Sequence, residues 1–278
     1  MSNAELVARF VQAREDARLD NELGGPRRCT DKVIQAYRFC NVQREDDKVT
    51  RWLKKYWRDP YWQHENFIPA MILARMVNWP PTLAYMNFPL VWDENHIVHC
   101  IHSMASRGKA WTGAYVITTC GRPMDKATYV VQTAAQALGL PTYQPRPENT
   151  LDGLWTSLRG HDGLGAGFIA AQVVADVKYT PLLQDAPDWW TWAVPGPGSR
   201  RGINRYYELP LSTKLGNKEW LAHLHEMIEQ VTPLLPDHGP YHAQDWQNVM
   251  CEFDKWMRVR KGEGRPRSRY TPDTSYDI

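Results

Sequence analysis

No stretch of about 18 apolar residues occurs in this chain, so nothing in it is long enough to span a bilayer as a helix. The opening MSNAELVARF lacks the basic-then-apolar pattern of a secretory leader, and a cytoplasmic location is expected. There is no CxxC pair. The five cysteines, Cys29, Cys40, Cys100, Cys120 and Cys251, are odd in number and scattered, which fits reduced thiols better than disulfides or zinc. GxxxxGK[ST] is absent, as is any run of strands alternating with helices. A P-loop kinase site and a doubly wound sheet are therefore disfavoured. Neither an internal repeat nor a clear linker divides the sequence. It reads as one helical domain over 1–262, with room for two lobes, and a basic flexible tail over 263–278.

What is present is charge with a pattern. The net charge is only +2, but Lys255 to Arg269 holds seven Lys or Arg residues and the single acid Glu263. Arg27 to Arg58 holds ten basic residues against four acidic ones. Two basic segments flanking a near-neutral middle point to a polyanionic partner. Thirteen Trp and thirteen Tyr add aromatic faces that can fill a core or stack on bases that have left a duplex.

Wherever a period can be read, it is helical. Helices are expected over 3–17, 66–76, 95–104, 125–138, 218–231 and 245–259. Another should start at a Thr30 cap and run towards Trp57, with Val49, Trp52, Leu53, Tyr56 and Trp57 as its apolar stripe. Traced backwards, that stripe meets Glu45, Asn41 and Arg38, with Arg44 adjacent. A buried stripe that turns polar either forms a hydrogen-bonded network or opens into a pocket, and the pocket is favoured. Trp111 to Thr119 is β-branched and aromatic, compatible with a short strand or a buried helix. The fold class expected is all-α.

Three further constellations carry chemistry. Gly163-Leu164-Gly165-Ala166-Gly167 before an apolar helix has the hairpin logic of helix-hairpin-helix DNA-binding proteins, in which backbone amides face phosphate. Asp188, downstream at the expected start of the next helix, matches the place of the essential Asp in helix-hairpin-helix glycosylases; an ordinary N-cap is the simpler alternative. Gly196-Pro197-Gly198-Ser199-Arg200-Arg201 offers amides and paired arginines to an anion, unless it is a solvated turn. On the last helix, Asp245, Asn248, Glu252 and Lys255 share one face beside the core stripe, which salt bridges alone would also explain. His96, His99, His102 and Cys100 lack a carboxylate pattern to complete a metal site, so no metal is expected.

Taken together, Tyr37 to Asp47, Trp111 to Tyr115, Gly163-Leu164-Gly165 with Phe168, Asp188-Trp189, the Gly196 to Gly202 turn, and Cys251 to Lys255 with Gly262 to Arg265 resemble one family. It is the phage thymine-hypermodification group of α-glutamyl/putrescinyl thymine pyrophosphorylases, also called amino acid:DNA transferases, related to the helical domain of 5-hydroxymethyluracil DNA kinases. Cys40, Gln43 and Trp256 depart from its pattern. The resemblance implies a glycosylase-like helical fold acting in an infected host's cytoplasm on double-stranded DNA that carries modified thymine. It also implies a small amine co-substrate and no cofactor. An amine would replace the pyrophosphate of phosphorylated 5-hydroxymethyluracil. Asp188 and Glu252 are the candidate catalytic carboxylates, and Arg38, Asn41, Arg44, Asp47 and Lys255 line the candidate base pocket. Gly163, Gly165, Gly167, Gly196, Gly198, Ser199, Arg200 and Arg201 are candidate DNA or phosphate contacts. A glycosylase that excises a modified base, and a non-catalytic DNA-binding protein, are the competing functions.

Overall fold

In a computed structural model, residues 1–23, 27–112, 115, 117–140, 146, 148–165, 167–266 and 269 are described. They are mainly helical, and no named strand occurs among them. Two compact units form, one from Met1–Asp47 with Trp190–Ile278 and one from Lys48–Trp189.

The chain opens in the first unit with α1, Asn3–Leu23, followed by α2, Lys32–Ala36. Asp31, not Thr30, caps α2, accepting from the Val33 and Ile34 amides. The long helix expected towards Trp57 does not form. The backbone leaves the helical region at Tyr37 (φ −127°, ψ 152°) and makes only a 3-10 turn at Arg44–Asp46. The polar positions 38–45 thus belong to an irregular segment and not to a helix face.

The second unit begins with α3, Lys48–Leu53, which widens into a π turn at Lys54–Arg58 and ends at Asp59–Tyr61. Then come α4 (Phe67–Val77), α5 (Pro80–Met86), α6 (Glu94–Ser106), α7 (Lys126–Ala135), α8 (Leu151–Arg159) and α9 (Phe168–Val177). Every residue of α4 is buried, so this helix, apolar on all sides, is the axis of the unit. The described residues of the 111–119 segment form neither strand nor helix, and Gly113, Ala114 and Val116 lie outside the described residues.

Inside this unit, Arg75 on α4 meets Asp176 on α9, both almost fully buried. The Arg75 guanidinium grips both carboxylate oxygens, Nε at 2.6 Å, and Nη2 also donates to Thr50 Oγ1 at 3.0 Å. Two desolvated charges are tolerable only when every lone pair and proton finds a partner.

The chain then returns to the first unit with α10 (Pro197–Tyr206), α11 (Asn217–Val231) and α12 (Ala243–Arg260). Helices α10 and α12 form the most extensive pair in the molecule. The reason is steric: a Cβ on Gly202 would overlap the Met250 carbonyl, and one on Gly198 would overlap Cys251 Sγ. The core of this unit gathers Val7, Phe10 and Val11 of α1 with Trp220, Leu224, Trp246, Phe253 and Trp256. Phe10 meets Phe39, Phe253 and Trp256 at 5.5 to 6.1 Å between ring centroids. Of the tail expected over 263–278, Arg267, Ser268 and 270–278 lie outside the described residues. Arg269 forms an antiparallel bridge with Tyr37, and Glu263 pairs with Arg205.

Asp176→Ala should lower unfolding free energy by about 3–5 kcal/mol, because it strands a buried guanidinium. A denaturant titration checks this; a loss under about 1 kcal/mol would place the pair in solvent.

Candidate functional site

The segment from Arg38 to Arg44 has no helix or sheet to satisfy its backbone, and buried amides and carbonyls need partners. Helix α12 supplies them from one face. Lys255 Nζ donates to the Arg38 carbonyl at 3.1 Å, and the Cys40 amide donates to Glu252 Oε2 at 3.0 Å. Asn248 Nδ2 donates to the Asn41 carbonyl at 2.9 Å, and the Arg44 amide donates to Asp245 Oδ1 at 3.1 Å. Four side chains thus hold four successive points of the segment, running in the opposite direction along the chain.

From the other side, α1 contributes Arg14, which is buried. Its Nε donates to the Cys40 carbonyl at 3.0 Å, and its Nη2 to Asn41 Oδ1 at 2.8 Å. Asn41 closes a tight turn, its amide donating to Asp47 Oδ1 at 3.0 Å and its side chain to the Asp46 carbonyl at 2.9 Å. Lys255 also pairs with Glu252 at 2.5 Å and lies 4.7 Å from the centre of the Phe39 ring.

The result is a cluster of opposed charges on an apolar floor. Burial pushes the Asp47 carboxyl above its ordinary range, against the opposing effects of the Asn41 amide and Arg44. Burial likewise raises the Cys40 thiol well above its usual value and pushes Cys251 up to about 12. Both thiols are therefore neutral and poor nucleophiles at pH 7. Burial pulls the Lys255 ammonium down, but the nearby Glu252 carboxylate more than compensates and the net shift is upward.

The sequence-derived pocket residues Asn41, Arg44, Asp47, Glu252 and Lys255 are brought together here, with Arg38 exposed at the rim. Arg14 was missed. Its signal was its place in the apolar row Val7, Phe10, Val11, Arg14, where helical spacing aims an arginine at the core.

The Gly196 turn lies in the same unit and opens α10. The Ser199 hydroxyl accepts from the Gly196 amide at 3.0 Å and is fully buried. Arg200 donates to the Leu215 carbonyl and, at 2.6 Å, to Asn217 Oδ1. Arg201 and Arg205 reach the two oxygens of the buried Asp254 at 2.9 and 2.8 Å. Arg201 remains 40% exposed.

Gly163, Gly165, Gly167 and Asp188 belong to the second unit. Gly163 and Gly167 have φ of +86° and +75°, which favours glycine, and the Gly167 carbonyl accepts from the Trp155 indole at 2.9 Å. No side chain caps α9, so its first-turn amides follow the glycine turn uncapped. Asp188 does not begin a helix. It sits in a turn, and its two oxygens accept from the Leu151 and Asp152 amides at 2.9 and 3.0 Å, capping α8 from a distance. Of the histidine series, His102 meets Asp125 at 2.9 Å. Among the described residues no group of three or more His, Cys, Asp and Glu side chains is gathered to hold a metal ion.

Residues 2–265 match the family described as 5-hmdU DNA kinase, helical domain. The chain belongs to that family. Neither curated proteins nor solved structures give a match. A helical fold is what this family description requires, and no helix among the described residues is long and apolar enough to cross a membrane.

Asp47 binds its proton more tightly in the folded than in the unfolded chain. Its contribution to stability is therefore greatest in acid and is lost as pH rises through the folded value. Asp47→Asn carries no such loss. Melting midpoints should show the variant gaining on the parent between about pH 4 and pH 7; a constant difference would mean that Asp47 is solvated.

Proposed function

We propose that the protein is a DNA base-modifying transferase. An amine, from an amino acid or polyamine, displaces pyrophosphate from pyrophosphorylated 5-hydroxymethyluracil in double-stranded DNA and leaves a hypermodified thymine. A C–N bond forms at the exocyclic methylene carbon while the C–O bond breaks, its electron pair leaving on the phosphate oxygen. The amine gives up one proton. Such a site needs cations for the leaving group, a carboxylate for the amine, and a base turned out of the duplex.

One observation supports this reading above the others. Two carboxylates, Glu252 and Asp47, stand among Lys255, Arg14 and Arg44 in a single cluster, in a family named for a kinase of 5-hmdU in DNA. The sequence meanwhile contains no P-loop motif of its own. Glu252 orients the amine against Lys255, and Asp47, whose burial makes it the stronger base, accepts the proton. Arg38 and Arg44 hold the base and its phosphates. Arg200, Arg201 and the amides after Gly163, Gly165 and Gly167 grip DNA phosphates. Asp188 has both oxygens on backbone amides and becomes the chemical residue only if the protein excises the base.

The test is to incubate duplex carrying pyrophosphorylated 5-hydroxymethyluracil with pooled amines and weigh the product nucleosides. The parent should add one amine and release pyrophosphate. Glu252→Gln, which keeps an acceptor for the Cys40 amide, should slow turnover by about 100-fold or more. Free base and an alkali-labile strand would mean glycosylase chemistry; binding without any product would mean a DNA-binding protein.

A further inference from the structure

In the second unit, the loop joining α5 to α6 presents Leu90 and Val91 to water, 55% and 81% exposed. Scattered surface aliphatics are ordinary, but these two are adjacent and rigidly displayed. The Leu90 amide folds back on the Phe88 carbonyl at 2.9 Å, and the Asp93 amide on the Val91 carbonyl at 3.1 Å. The side chain of Asn66, itself buried, holds the carbonyls of Pro89 and Leu90 at 2.9 and 3.2 Å. Phe88 anchors the loop from below, stacked on Tyr61 at 4.1 Å and meeting Trp57 and His64 edge-on. After the tip, Asp93 caps α6 through the His96 amide.

The neighbourhood is basic. The segment that anchors Phe88 contains Lys48, Arg51, Lys54, Lys55 and Arg58 with no acid among them, and the first four are exposed. Before the loop, Tyr85 is 42% exposed with the Arg107 guanidinium 4.9 Å from its ring centre. A membrane surface would need a broader apolar face, and a protein partner would not need this concentration of one sign. An apolar point set in a cationic surround fits a polyanion with an apolar interior, which is the chemistry of a nucleic-acid duplex.

We propose that Leu90 and Val91 form a wedge that enters the base stack of duplex DNA. Insertion covers the two aliphatic side chains and unstacks the step they enter, while the surrounding cations hold the phosphates. The inference rests on the DNA substrate of the proposed function but not on its reaction.

The full chain is titrated into duplex carrying 2-aminopurine beside a single 5-hydroxymethyluracil, and fluorescence reports unstacking. The parent should brighten the probe. The double variant Leu90→Ala/Val91→Ala, with an unchanged melting midpoint because both side chains lie in water, should lose most of that rise and bind about tenfold more weakly. Its salt dependence should match the parent's, since no charge is removed. An equal rise in variant and parent overturns the proposal, as does a parent that binds without brightening the probe. A parent dimer that the variant converts to monomer, with the fluorescence rise intact, assigns the loop to a second copy of the chain. Unstacking by a parent that adds no amine keeps the wedge and discards the reaction; amine transfer at full rate by the double variant does the reverse.

Discussion

The backbone of residues 38–44 is held by the polar face of α12, and the candidate site depends on that grip. Ten residues of helix, from Asp245 to Lys255, advance about 15 Å. Six residues of extended chain, from Arg38 to Arg44, reach about 20 Å. The two lengths are close enough for one helix face to satisfy an irregular segment along its course, with 3-10 and Asx-type turns absorbing the difference. Because the side chains of α12 bond to backbone and not to other side chains, the identities at 38, 40, 41 and 44 stay open to other demands. The segment can carry Arg38, Asn41 and Arg44 without losing its place.

Helix α12 manages this because its three faces do separate tasks. One face carries Trp246, Val249, Phe253 and Trp256 into the core. A second carries Asp245, Asn248, Glu252 and Lys255 to the segment. The third meets α10, where Gly198 and Gly202 allow backbone approach and Asp254 binds Arg201 and Arg205. The grip on the segment is thus braced by packing on one side and by a buried carboxylate on the other. A shift of α12 by one turn would break all three sets together, which keeps the charges of the cluster in register.

Much of this was legible in sequence, for identifiable reasons. The all-α class followed from helical periodicity, and the spacing of Asp245, Asn248, Glu252 and Lys255 put four polar groups on one face before any partner was known. The polar positions at 38, 41, 44 and 45 were recognised as out of place in an apolar stripe, yet the stripe was wrongly extended. Local pattern does not reveal that Asp31 closes α2 after five residues, because the competing structure draws its hydrogen bonds from residues some two hundred positions away. The glycines of the Gly196 turn were seen, but their crowding against Cys251 and Met250 is a tertiary fact. Asp188 was placed at a helix start, whereas it caps another helix at a distance, and no sequence spacing distinguishes the two.

The central claim is that a base in DNA meets this protein at the 38–47 segment and its α12 face. Photocrosslinking with duplex that carries 5-iodouracil at the modified position, followed by peptide mass mapping, tests it directly. The account predicts adducts within Arg38 to Asp47 or Asn248 to Lys255. Adducts confined to Asp185 to Trp192, with none on those two peptides, would contradict it.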